Sequence, residues 1–389
     1  MTAHPGPCKI AVVIPQYRRI GGAENVAFQL CERLAGMPEF EIHVFARKWD
    51  AGLSEIIFHK IPMIHFPRWL QPVSFAAFAK RKMAGLSLDL IHSHERIFAM
   101  DVMTFHGIPH SAWIRDMRRK HLSGFDRATC WVEQKGLRNP DLKMILPVSS
   151  LVKNALLAAY SIPETRISVM HPGVDVARFS RPDAESCRKR IRIQFGLAPS
   201  DIVMLFVGMN FEIKRLDLVI QGIAGVSVME RPNVKLLILG KGNPAPYRKM
   251  ASELGVGNQI MFAGVVSDIE SWYPAGDIFV MPSVMDTFGL VVLEAMAAGL
   301  PVIISPTVGA ADLVIQDDNG IILPDAPSAS DMTTAITRLL NPGIRRNMGG
   351  NARRTASRHD WNAVSTRLAD IYRHVITTAC RKSSDLMVS

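Results

Sequence analysis

Two carboxylates separated by seven residues, Asp286 and Glu294, stand in one of the most apolar stretches of the chain, Met281 to Val302. The pattern places Asp286 in the loop after a strand and Glu294 inside the following helix, among Leu290, Val291 and Leu293. A carboxylate in such surroundings needs a hydrogen-bonding partner, and the hydroxyls of a sugar can supply one. An ion pair with a basic group of its own domain is the plainer alternative. At the start of that helix, Gly289 would leave backbone N–H groups free for a diphosphate.

Other positions point the same way with less specificity. The first apolar run ends in Pro15-Gln16-Tyr17-Arg18-Arg19-Ile20-Gly21-Gly22-Ala23-Glu24. Adjacent Gly21 and Gly22 let the backbone approach a ligand closely, beside the positive end of a helix. Their spacing is not that of the dinucleotide-binding fingerprint, and taken alone such a pair is more often just a turn. His106 follows the run Val102–Phe105 and precedes Gly107. In an open parallel sheet that position lies at the ligand-facing ends of the strands, and a histidine satisfying a loop carbonyl is the plainer alternative. His92 and His94 invite a metal reading together with His106, but no carboxylate pattern accompanies them.

These positions need a scaffold of strands. Apolar runs about five to seven residues long alternate with stretches of helical period, the mark of a parallel sheet wrapped by helices. The first series of strands is expected at Ile10–Ile14, Ile42–Ala46, Leu88–Ile91, Val102–Phe105 and Met144–Val148, with helices over Ala23–Ala35 and Leu151–Tyr160. A second series comes after Pro172-Gly173: Ile202–Val207, Lys235–Leu239, Gln259–Phe262, Ile278–Met281, Val302–Ser305 and Ile321–Leu323. Helices are expected to begin near Arg215, Tyr247, Asp268, Gly289, Gly309 and Ser328. The fold expected is α/β, with two doubly wound, Rossmann-like domains facing a central cleft. Residues 1–170 form one domain, 171–352 the second, and 353–389 a helical segment able to pack back on the first.

Composition narrows the possibilities. The chain has 389 residues, 48% of them apolar and 21% charged, which supplies two cores and argues against a disordered chain. The formal charge of +10 favours polyanionic partners. It is concentrated in residues 1–170, where 22 basic side chains face 14 acidic ones. Five scattered cysteines outline neither a zinc site nor a disulfide framework, so a reducing cytosol is expected. Met1 to Lys9 has two prolines and no apolar core, so neither a signal peptide nor a membrane span is expected, the latter because Glu294, Gly299 and Pro301 break the most apolar run.

The run from Met281 through Pro301 resembles the E-x7-E signature of the GT-B glycosyltransferases of family GT4. The likeness extends to the Gly21-Gly22 loop, Thr104-Phe105-His106-Gly107, Pro172-Gly173-Val174-Asp175, Val207-Gly208 through Lys214, and Gly240-Lys241-Gly242. Within that family it is nearest to the lipopolysaccharide core glucosyltransferases, on Phe211 to Asp217 and Phe125 to Lys135. The resemblance implies that Asp286 meets the donor sugar and Glu294 the ribose of the nucleotide. It also implies that Lys214 neutralises the diphosphate, that the Gly21 and Gly22 amides bind it, and that His106 lies beside the sugar. Val266 falls where the base is held, and Phe288, Gly289 and Leu290 complete the donor loop. Two departures stand out: Asp286 replaces the usual Glu, and Met209 replaces an Arg, a loss that Arg215 would offset only by turning inward.

The activity implied by this resemblance is that of a retaining hexosyltransferase, taking glucose from UDP-glucose to a lipopolysaccharide-core or other lipid-linked acceptor. Such an enzyme needs no metal and no cofactor, and works as a cytoplasmic protein peripheral to the inner face of the membrane. The basic first half, with Trp113, Arg115, Arg118, Arg119 and Lys120, would meet an anionic membrane or a phosphorylated acceptor. The competing readings are a nucleotide-sugar epimerase of the same fold and a non-enzymatic protein that binds membrane or nucleic acid through its charge. No nucleic-acid motif supports the last, and nucleic acid is not an expected partner.

Overall fold

The computed structural model describes residues 6–50, 52 and 54–387, with side chains described as far as Thr378. Met1–Pro5, the start of the stretch read for a signal peptide, and the side chain of Cys380 lie outside the described residues. The chain forms two units: Met1–Pro172 with Trp361–Ser389, and Gly173–Asp360.

The first unit is built on a six-stranded parallel sheet. Its strands are β1 (Cys8–Val13), β2 (Phe40–Ala46), β3 (Ile57–Lys60), β4 (Leu90–Ser93), β5 (Val102–Phe105) and β6 (Met144–Pro147). Their order is β3-β2-β1-β4-β5-β6, with Ile10 in register with both Ile42 and Leu90. Central strands of such a sheet are covered on both faces, which is why β1 reads as a continuous apolar run from Ile10 to Val13, while β2 carries Glu41 and His43 between its apolar residues. Ile10, Ala11, Val13, Val44 and Phe45 have no exposed surface. Each buried Val, Ile or Phe contributes about 1.5–3 kcal/mol of hydrophobic stabilisation.

Helix α1 (Ala23–Leu34) lays Val26, Ala27, Leu30, Cys31 and Leu34 on the sheet. The long C-terminal helix α2 (Trp361–Met387) completes this unit. Its Tyr372 is buried edge-on against Phe40, at 5.9 Å between centroids, and its Asn362 accepts a hydrogen bond from Arg33 at 3.0 Å. The segment starts at Trp361, not at Arg353. Residues 353–357 instead finish the helix Pro342–Ser357 of the second unit.

The second unit repeats the architecture. Strands β7 (Ile202–Val207), β8 (Val234–Leu239), β9 (Ile260–Gly264), β10 (Ile278–Met281), β11 (Val302–Ile304) and β12 (Gly320–Ile322) run parallel in the order β9-β8-β7-β10-β11-β12. Helix Leu216–Gly225 packs Leu218, Val219 and Ile223 against Met332, Ile336 and Leu339 of helix Ala329–Leu340. The expected α/β class with two doubly wound sheets is what the chain forms.

The departures are local. The edge strand β3 is additional to the expected set. The helices expected near Asp268 and Gly309 are short 3₁₀ turns, Ile269–Ser271 and Tyr273–Ala275 in the first case and Gly309–Leu313 in the second. Pro274 interrupts the first, lacking the N–H that a longer helix needs. Among the described residues, no helix is long and apolar enough to cross a membrane.

Candidate functional site

Every residue with an expected donor role lies at or just beyond the C-terminal end of a strand or at the helix that comes next, where ligands bind in open α/β sheets. In the second unit, the chain leaves β7 through Gly208 and turns at Asn210, whose φ is +63°. That turn brings Lys214 back over Gly208, where a Cβ would meet the lysine Cγ at 3.3 Å. Gly240, at φ +127°, packs on the carbonyl of Gly208, and a side chain there would collide with it at 1.9 Å. The lysine turn is tied to the loop after β10, since the Ile213 carbonyl accepts from Val284 N at 2.8 Å and Ser283 Oγ at 3.1 Å. Lys214 Nζ consequently forms an ion pair with Asp286 Oδ2. The other Asp286 oxygen accepts from Phe288 N at 3.2 Å.

Gly289 opens helix α3 (Leu290–Ala297) at φ +84°, a left-handed conformation in which a Cβ would lie 2.8 Å from Met281 Cε. Glycine is required there because L side chains rarely adopt it. Phe288 is buried and Leu290 half-buried beside the turn. One helical turn on, Glu294 Oε2 accepts from the Tyr273 hydroxyl at 2.7 Å. The partner of this carboxylate is therefore a phenol and not the basic group of the plainer expectation. Burial raises the Glu294 pKa and the Tyr273 bond opposes that rise. Arg178, hydrogen-bonded to Glu270 at 2.8 Å, lends a further opposing field.

Arg215 does not join Lys214. It sits at φ +54° with its guanidinium on Asp217 at 3.2 Å, so it does not take over the missing arginine's position, and Met209 is exposed. Val266 is half-buried in the loop beyond β9.

In the first unit, Gly21 has φ +116° and Gly22 caps α1, with open space where its Cβ would be. The Glu24 carboxylate lies against Gly21, where a Cβ would meet it at 2.6 Å. His94 and His106 leave the adjacent strands β4 and β5, and His94 Nδ1 lies 2.9 Å from His106 Nε2. Behind them, His92 reaches the Tyr372 hydroxyl at 2.5 Å and Thr104 Oγ1 at 2.8 Å. Both ring nitrogens of His92 are thus engaged by hydroxyls, which does not fit the metal reading. Burial, with Arg96 nearby, lowers the His106 pKa to about 3, and burial lowers that of His92 to about 3. At neutral pH both rings are uncharged hydrogen-bonding groups.

The basic segment of this unit is a short helix, His110–Trp113, running into a wide turn over Ile114–Arg118. Trp113 is half-buried, Arg115 is paired with Asp116 at 2.6 Å, and Arg118, Arg119 and Lys120 are exposed. A cavity of about 370 Å³ opens there, lined by Ile114, Arg115, Arg119, Lys120 and Leu122. Residues 1–172 carry 22 basic and 14 acidic side chains and residues 361–389 carry 4 and 2, so the formal charge of +10 belongs wholly to the first unit.

Comparison with known proteins respects this division. Residues 188–355 match the family model of the glycosyl transferases group 1, and residues 20–178 match that of Glycosyltransferase Family 4. A D-inositol 3-phosphate glycosyltransferase of Salinispora arenicola is 25% identical over 94% of this chain and 90% of its own. Homologous proteins of that name at 30–31% identity are matched over about half their length. Among solved structures, WaaG, a glycosyltransferase involved in lipopolysaccharide biosynthesis, superposes with a TM-score of 0.77 at 19% identity, over 93% of this chain and 99% of its own. Anabaena Alr3699/HepE in complex with UDP-glucose gives 0.71 at 18%, over 94% and 99%.

Proposed function

We infer the reaction from one premise: the chain belongs to the family 4 glycosyltransferases of group 1 and is a transferase of the GT-B fold. The reading is a retaining transfer of a hexose, glucose from UDP-glucose, to a hydroxyl of a lipopolysaccharide-core or other lipid-linked glycan. The observation that carries it is the Lys214–Asp286 ion pair beyond the C-terminal ends of β7 and β10, with Glu294 in the helix that follows β10.

In this reading the diphosphate takes Lys214 as its counter-charge, joined by N–H groups at the start of α3. Stabilising charge that grows on the leaving diphosphate is what lowers the barrier. Asp286, released from Lys214, accepts from sugar hydroxyls, and Glu294 accepts from the ribose. The Gly21-Gly22 loop is assigned to the diphosphate and neutral His106 to a sugar hydroxyl. No side chain is assigned as a covalent nucleophile, so attack comes from the face the leaving group departs, and the diphosphate oxygen takes the acceptor proton.

UDP-glucose as donor is supported by the HepE complex, and a lipopolysaccharide acceptor by the WaaG likeness. The concentration of charge in the first unit, with Phe66 85% exposed, supports an acidic acceptor surface on that unit and a peripheral site at the inner face of the cytoplasmic membrane. A soluble phosphorylated polyol is the second reading for the acceptor, favoured by the name of the Salinispora relative. Transfer of labelled glucose from UDP-glucose to truncated lipopolysaccharide and to inositol phosphate, run side by side, separates the two.

A further inference from the structure

The carboxylate of Glu294 is held from one side only. Tyr273 has no exposed surface, and its ring lies edge-on to Phe179 at 5.4 Å and inclined to Phe279 at 6.4 Å. Those contacts pack the ring on both sides, and its hydroxyl ends 2.7 Å from Glu294 Oε2. The Val291 carbonyl, at 3.3 Å, is the weaker acceptor for the same proton. Among the described residues Glu294 Oε1 has no hydrogen-bond partner, and Glu294 keeps partial exposure while Tyr273 has none. One carboxylate oxygen is thus fixed from the interior and the other is free to accept.

We propose that Tyr273 is a positioning residue for nucleotide recognition: its hydroxyl locks the Glu294 carboxylate so that Oε1 accepts from the ribose 2′-hydroxyl of the donor. The proposal rests on the assignment of Glu294 to the ribose. It concerns a residue 21 positions away in sequence, in the 3₁₀ turn Tyr273–Ala275 before β10. A glutamate in a helix has three side-chain torsions to immobilise, and a rigid buried donor removes that freedom before the ligand arrives. Without the hydroxyl, the carboxylate loses its only side-chain hydrogen bond and the preference for one rotamer.

The test is calorimetric binding of UDP and of 2′-deoxy-UDP to the full chain and to the Tyr273→Phe and Glu294→Ala variants. Tyr273→Phe keeps the ring that packs on Phe179, so the fold is preserved and a melting curve verifies it. The wild-type chain is expected to prefer the ribonucleotide, and Tyr273→Phe to reduce that preference about tenfold, the scale of one charge-assisted hydrogen bond. A purely structural role would weaken both nucleotides equally and leave their ratio unchanged. If Glu294→Ala abolishes the preference and Tyr273→Phe keeps it, the positioning role is overturned. If Glu294→Ala also keeps it, or the wild-type chain has none, the ribose assignment itself is wrong and the proposal goes with it.

Discussion

Lys214 and Asp286, 72 residues apart in sequence, form an ion pair at the ends of two neighbouring strands of the second sheet. Both side chains are mostly shielded, 13% and 24% exposed. In the proposed reaction a diphosphate must draw Lys214 away from this partner. Asp286→Asn is therefore expected to bind UDP a few-fold more tightly, the scale of a partly exposed pair. Its transfer of the sugar should slow, because the acceptor for sugar hydroxyls is weakened. Calorimetry with UDP, set beside kcat for transfer, checks both halves. Weaker UDP binding in the variant would mean that Asp286 supports Lys214 and does not compete with the diphosphate.

The histidines of the first unit make its stability acid-sensitive. His92 and His106 are held near pKa 3 in the folded chain, while unfolded histidine titrates near 6.5. The unfolded chain binds protons first, so the contribution is complete above about pH 6.5 and is lost as pH falls towards the folded values. Each such histidine steepens the decline by about 1.4 kcal/mol per pH unit. His92→Gln, which retains partners for Tyr372 and Thr104, should remove one histidine's share of the slope between about pH 6 and 5 in urea titrations. An unchanged slope would show that His92 is not protected in the native state.

Gly289 carries a conformational requirement that can be measured apart from activity. Its φ of +84° and its contact with Met281 predict that Gly289→Ala costs about 1–3 kcal/mol. Thermal unfolding of this variant should begin several degrees lower, as such a loss implies for a unit of this size. A melting temperature equal to wild type would mean that the loop before α3 rearranges freely.

For the basic segment, neutral glutamines at Arg118, Arg119 and Lys120 should weaken binding to anionic vesicles about a hundredfold, at about 1 kcal/mol per residue. Arg115 is left in place because Asp116 already neutralises it. Unchanged sedimentation with phosphatidylglycerol vesicles would rule this segment out as the contact.

The doubly wound scaffold was legible because buried parallel strands are written as apolar runs: Val102–Phe105, Ile202–Val207 and Ile278–Met281 have the expected limits. Strand β3 was not, since Ile57-Phe58-His59-Lys60 is a short edge strand whose polar residues mask the run. The start of α2 was obscured because no glycine or proline separates it from the helix before, and only the turn at Arg358 and His359, with the bridge residue Asp360, divides them. At the candidate site, residue types and local spacing pointed to Asp286, Glu294 and Gly289. Contacts made by folding did not show: the pairing of Lys214 with Asp286, the diversion of Arg215 to Asp217, and Tyr273 beneath Glu294. The need of Glu294 for a partner was readable, and a tyrosine just ahead of an apolar strand was the one signal able to name it.

Whether the second unit holds a nucleotide sugar through Lys214 is decided by titrating UDP-glucose, ADP-glucose and GDP-glucose into wild-type and Lys214→Ala protein in a calorimeter. Saturable binding of UDP-glucose by the wild-type chain is expected, with at least about tenfold weaker binding by the variant, the scale of one lost charge-assisted contact to a diphosphate. Equal affinity of the two proteins, or no saturable binding of any of the three donors, would contradict the assignment.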